Sequence, residues 1–119
     1  MAKGIKRGDI FYCNFGAQNG SVQGGIRPAL VIQGDASNSE SPTTVVAALT
    51  THISKKQKSH IRLGPECGLK KLSVVQLEQV RTINQTDLMD YIGSVTDRKT
   101  LRALSKAQIN FYELYKPLL

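Results

Sequence analysis

The chain has 119 residues, a formal net charge of +7 and 40% apolar residues. That length suits one hydrophobic core and not two, and the apolar share excludes a disordered chain, so a single domain over 1–119 is expected. The surplus of Lys and Arg favours a polyanionic partner, with nucleic acid first. Cys13 and Cys67 stand far apart with no CxxC pair, which predicts reduced thiols and no zinc site. Met1 to Asp9 lacks the apolar stretch of a signal peptide. No apolar run approaches the roughly 20 residues that span a bilayer, so a soluble cytoplasmic protein without a membrane partner is expected.

Short apolar runs separated by Gly, Ser, Asn and Pro dominate the first two thirds, the pattern of a small β-rich fold. Asp9–Phe15 reads as a first strand, followed by a glycine-rich loop from Gly16 to Arg27. Ala29–Ile32 is continuously apolar and reads as a buried strand. Gly34 to Thr43 has the composition of a loop, and Thr43–Thr50 begins with β-branched residues suited to a third strand. His60–Leu63 alternates like a half-exposed strand, and Pro65–Gly68 reads as a turn. Ser73–Leu77 starts a further strand that continues, bent or broken, through Val80–Ile83. One helical turn is expected near Thr86 and a last strand over Tyr91–Val95. Thr96 or Asp97 can cap a helix, and Leu101, Leu104, Ala107, Phe111 and Leu114 recur at helical spacing. Asp97 to Tyr115 therefore reads as an amphipathic helix ended by Pro117. Strands first and one long helix last predict a small curled sheet or barrel with the helix packed on it.

The most informative segment for chemistry is Ser21-Val22-Gln23-Gly24-Gly25-Ile26-Arg27-Pro28. Adjacent glycines permit unusual backbone conformations and let a ligand approach the main chain. Pro28 biases Arg27 towards an extended conformation. A guanidinium at the mouth of a buried strand suits a phosphate that gains charge in a transition state. The same residues also fit a plain hairpin loop with an exposed arginine, and both readings stay open on the residues alone. Thr50 ends the third strand, where a hydroxyl can face the same surface or serve structure only. Thr51 and His52 follow, and His52 is either a general base or a solvated loop histidine. His60 reads as solvent-facing.

Lys55, Lys56, Lys58, Arg62, Lys70 and Lys71 face only Glu66 in composition, forming a basic stretch that either tracks a phosphate backbone or is simply solvated. Phe11, Tyr12 and Phe15 are available for stacking on bases, although at least one must belong to the core. Glu78-Gln79-Val80-Arg81 places an acid, an amide and a base together. Gln79 can read a base edge, while Glu78 either handles a proton or pairs with Arg81. No metal-ligand spacing and no cofactor motif appears, so hydrolytic chemistry here is expected to be metal-free. With a nucleic acid that points to RNA, whose 2′-hydroxyl is its own nucleophile.

At these residues the sequence resembles the MazF/PemK family of toxin endoribonucleases. The matches are Lys6-Arg7-Gly8-Asp9-Ile10, Ser21 with Gln23 to Gln33, Ser41-Pro42-Thr43, Val46 to Thr50, and Leu77 to Ile83. The resemblance implies an SH3-like small β-barrel of the MazF/CcdB/Kid type, a homodimer, and metal-independent cleavage of single-stranded RNA at short motifs. Family products end in a 2′,3′-cyclic phosphate and a 5′-hydroxyl. Carried over by position, Arg27 becomes the main catalytic group and Thr50 a hydrogen-bond donor to the scissile phosphate. Ser21, Gln23, Gly24, Thr51 and Lys58 would line the RNA groove, with Glu78 and Gln79 beside it. A small acidic antitoxin is the implied protein partner. Two departures stand out: Val22 replaces an acidic residue common in the family, and Asn14-Phe15-Gly16 replaces an Asp-Leu-x-Pro segment. A plasmid-borne branch uses an Asp, an Arg and a His, where this chain has Glu78, Gln76 and Ser21, so the Arg27/Thr50 scheme is the one implied. Two other readings compete, a gyrase-poisoning toxin of the CcdB type and a nucleic-acid-binding module without catalysis.

Overall fold

The computed structural model describes residues 4–53 and 61–114. Six strands form one antiparallel sheet, β1 (Asp9–Asn14), β2 (Ile26–Val31), β3 (Thr43–Thr50), β4 (Arg62–Leu63), β5 (Ser73–Asn84) and β6 (Tyr91–Ser94), in the order β4-β5-β3-β2-β1-β6. A short helix α1 (Asp35–Glu40) joins β2 to β3, and α2 (Arg98–Phe111) follows β6. Single 3-10 turns occupy Pro65–Cys67 and Gln85–Asp87. The sheet is curled, mainly β with a C-terminal helix, as the order of apolar runs predicts.

Curling gives each face its own apolar cluster. Ile10, Leu30, Ala47, Leu49, Val75, Leu77 and Val95 meet Leu104 and Ala107 of α2 on one side. Alternate residues Cys13, Ala29, Val31, Val46 and Ala48 pack with Ile5 and Phe15 on the other. This is the two-residue periodicity of strands, used twice. Cys13 and Cys67 are free and buried, and burial pushes both thiols up; Glu66 pushes Cys67 further.

β5 is one strand with an irregularity. Ala48 faces Gln76 but Ala47 faces Val80, so Leu77, Glu78 and Gln79 bulge out of the ladder. This is the bend expected between Leu77 and Val80. At the far end β6 meets the Pro65–Cys67 turn. A side chain on Gly93 would run into the Cys67 carbonyl oxygen, and one on Gly68 (φ 91°) into that of Ile92. Bare backbones make that crossing possible.

Gly34–Thr43 is not all loop. α1 forms because its polar residues find tertiary partners. The buried Asn38 accepts from Gln33 Nε2 (2.9 Å) and Thr44 Oγ1 (2.7 Å) and donates to the Gln33 carbonyl (3.0 Å). Gln85 Nε2 donates to the carbonyls of Asn38, Ser41 and Thr43 at 2.8 to 3.0 Å. Asp35 accepts the Arg7 backbone N–H at 2.7 Å.

Of the two possible caps for α2, Asp97 is the one used. It accepts from Thr100 N (3.0 Å) and Thr100 Oγ1 (2.6 Å). Arg7 pins the helix through Ser105 and Gln108 and donates also to the Ile32 carbonyl. Leu104 and Ala107 are buried as predicted, but Phe111 is 43% exposed and Leu114 65%, so the apolar stripe outruns the surface that α2 covers. α2 ends at Phe111, where Tyr112 turns back to donate to the Leu77 carbonyl (2.6 Å). Pro117 lies outside the described residues. No helix among those described is long and apolar enough to cross a membrane.

Candidate active site

Arg27 lies inside β2, paired in register with Cys13, and not at the end of a loop. Pro28 is tolerated in a strand because its fixed φ is extended and it only lacks a donor. The β2–β3 ladder runs from Val31–Val46 to Ala29–Ala48, and Arg27 and Thr50 each follow two residues beyond that last pair. Residues directly opposite in an antiparallel pair share a face. By strand alternation Arg27 and Thr50 lie on one face at the same end of their two strands, both half-buried.

The glycine pair shapes the Arg27 guanidinium. Gly25 takes φ 78°, and its backbone bonds to Gly16 and Phe15 fold the loop back on β1. Gly24 is buried against the backbone of Ala17 and Gln18, where any side chain would collide. That turn delivers the Gly24 carbonyl to Arg27 Nε at 3.1 Å. The guanidinium is held by its inner nitrogen, and its two terminal amino groups have no partner among the described residues. Thr50 Oγ1 accepts the backbone N–H of His52 at 3.1 Å, which leaves its own hydroxyl proton to donate elsewhere.

The β1–β2 loop reaches across the sheet to β5. Gln79 Oε1 accepts from Gln23 N (3.1 Å) and Gln79 Nε2 donates to the Ser21 carbonyl (3.0 Å). Arg81 donates to the Gln23 carbonyl at 3.5 Å and lies 5.7 Å from the centre of the Phe15 ring. Phe15 is the aromatic residue claimed by the core, at 3% exposure. Ser21, Gln23, Gly24 and Gln79 are thus one assembly beside Arg27, with the Gln79 amide engaged on backbone in the free protein. Only the spacing of Gln79 and Arg81, two apart on one strand, marked that brace in the sequence.

Other candidates sit further off. Glu78 is exposed on the bulge, near enough to Tyr112 that its charge, after burial, helps raise the phenol's pKa. Thr51 lines a groove of about 490 Å³ with Tyr12, Pro28, Lys70, Lys71 and Tyr91. His52 is exposed. Lys55, Lys56, Lys58 and His60 lie outside the described residues. Among those described, no three His, Cys, Asp or Glu side chains gather as a metal site. Gln76, noted in the sequence only as a mismatch, is buried on β5 with its Oε1 unpartnered.

Comparison with known proteins adds the family. PemK-like, MazF-like toxins of type II toxin-antitoxin systems match residues 6–111. The chain is 43% identical over 95 residues to endoribonuclease EndoA of Bacillus subtilis, covering 78% of this chain and 82% of that protein. It is 39% identical over 97 residues to endoribonuclease MazF of Staphylococcus saprophyticus, covering 80% and 81%. Its fold is similar to that of a mycobacterial endoribonuclease solved with its cognate antitoxin, with a TM-score of 0.73 at 24% identity over 98% of this chain and 100% of that one. MazF from Deinococcus radiodurans gives 0.74 at 20% identity over 94% and 99%. The family match over residues 6–111 and the identity to these two endoribonucleases place the chain in the PemK/MazF family of type II toxin-antitoxin toxins.

Proposed function

We propose that this toxin is a metal-independent endoribonuclease that cleaves single-stranded mRNA at short sequence motifs. The observation that carries the reading is the Arg27 guanidinium, anchored through Nε with both terminal amino groups uncommitted among the described residues, on the same face and strand end as Thr50. The ribose 2′-oxygen attacks the neighbouring phosphorus, the P–O2′ bond forms and the P–O5′ bond breaks. The proton lost by the 2′-hydroxyl is balanced by one gained at O5′. Products are a 2′,3′-cyclic phosphate and a 5′-hydroxyl. Arg27 stabilises the charge that grows on the phosphorane and takes part in proton transfer, and Thr50 donates to a phosphate oxygen. Ser21, Gln23, Gly24, Thr51, Lys58, Glu78 and Gln79 form the RNA surface.

The family supports three further parts of the proposal. The chain acts as one toxin unit in the cytoplasm and as a homodimer, and an acidic antitoxin covers the site with carboxylates where phosphates bind. The net charge of +7 suits both ligands. The test is a long defined RNA incubated with purified protein in EDTA, with the ends mapped. Wild-type protein cuts it to the stated ends, and Arg27→Ala loses at least roughly a hundredfold in rate, ~2.7 kcal/mol, while remaining folded. RNA left intact by folded wild-type protein overturns the reading, and gyrase inhibition under those conditions would favour the poison type.

A further inference from the structure

β5 carries a buried polar group that the fold does not use. Val75 and Leu77 point into the cluster under α2, so Gln76 between them points to the opposite face, the one shared by Arg27 and Thr50. In register Gln76 is opposite Ala48 and Thr50 is opposite Val74, which makes Gln76 the diagonal neighbour of Thr50, about 7–8 Å away. Ala48 is opposite both Gln76 and Ala29, so the row that runs from Gln76 across β3 to β2 carries two small alanine side chains. Gln76 is 5% exposed, and its Oε1 is the one enclosed side-chain nitrogen or oxygen among the described residues without a hydrogen-bond partner. Burying such an acceptor unpaired disfavours the fold, and a leucine of similar size would avoid the penalty.

The chemistry of the corner says what that acceptor is for. Arg27 offers only donors. Thr50 Oγ1 already accepts from His52, the Gly24 carbonyl from Arg27, Gln79 Oε1 from Gln23, and the Gln23 carbonyl from Arg81. Donors for a phosphate are in place, whereas the ribose hydroxyl and the amino edges of bases need an acceptor. We propose that Gln76 is a substrate-positioning residue, its Oε1 accepting a hydrogen bond from an O–H or N–H of the nucleotide whose phosphate Arg27 and Thr50 hold. This rests on the RNA-cleaving reading above. The donor is the ribose 2′-hydroxyl or a base N–H, and RNA engagement opens the enclosed oxygen to it.

The experiment compares wild type with Gln76→Leu, and with Gln76→Met in case the leucine variant fails to fold. kcat and KM are measured on an RNA oligonucleotide spanning the mapped cut and on analogues lacking single exocyclic amines near it. Binding of the RNA and its 2′-deoxy counterpart is measured in the Arg27→Ala background, with and without Gln76→Leu, so that RNA stays intact. Gln76→Leu should unfold at higher urea than wild type and lose about tenfold in kcat/KM. It should also stop discriminating one analogue that wild type discriminates. An amine-free base in that role identifies a base donor, and the 2′-deoxy substitution identifies the ribose. A variant with wild-type kcat/KM overturns the proposal, as does one that loses rate yet keeps every discrimination, because that pattern marks a structural role. Inactive wild-type protein would instead sink the RNA-cleaving reading itself.

Discussion

The α1 junction and the Arg27 corner are both polar regions set into an apolar sheet, and they treat their polar atoms in opposite ways. At α1, Asn38 and Thr44 are buried and paired, and Gln33 and Gln85 spend their amides closing a helix onto a strand. At the corner, among the described residues, Arg27 keeps its terminal amino groups open and Gln76 keeps an enclosed oxygen unpaired. A polar network that only builds structure is complete without a ligand. One that binds leaves donors and acceptors unspent, and the fold carries that penalty.

The contrast can be broken at either end. Asn38→Leu strips the acceptor from Thr44 and Gln33 and a donor from the Gln33 carbonyl, and should lower stability by about 3 kcal/mol in urea unfolding. RNA cleavage by the folded fraction should not change; a loss well under 1 kcal/mol would show that the network is not structural. Gln79→Ala removes the brace between β5 and the Ser21–Gln23 segment. A drop of about 1 kcal/mol in stability is expected, with KM for RNA raised several-fold and kcat less affected. Equal loss in kcat would place Gln79 in the transition state instead.

The smallest effect belongs to the α2 cap, which takes part in neither network. The hydroxyl and backbone N–H of Thr100 hold the Asp97 carboxyl below its ordinary value of 3.8. A depressed folded pKa stabilises above the unfolded value and fades as pH falls through the folded one. Urea midpoints of wild type and Asp97→Ala should therefore differ slightly and constantly above that value and converge below it, with cleavage equal throughout.

Much of this was legible in the sequence. β3 runs over Thr43–Thr50 as its β-branched start and apolar run predict, because a strand between two others needs little beyond its own pattern. α1 was not legible: Asp35–Glu40 is polar, and only Gln33, Thr44, Gln85 and Arg7, distant in sequence, make it a helix. Phe111 and Leu114 show the converse, a helical period that the sheet is too small to cover. Within the site, Arg27 was visible through Gly24-Gly25 and Pro28, although its place in a strand depends on pairing with β1. Gln76 carried no local signal, since its significance is a missing partner, and a missing partner exists only after folding.

The crossing of Gly93 and Gly68 bears on which substitutions the last strand can accept. β6 is held to the sheet through β1, and the turn at Cys67 packs across it, so closely that neither glycine has room for a side chain. Even a methyl group at either position would have to push the turn and the strand apart, so the joint tolerates no residue but glycine without a backbone shift.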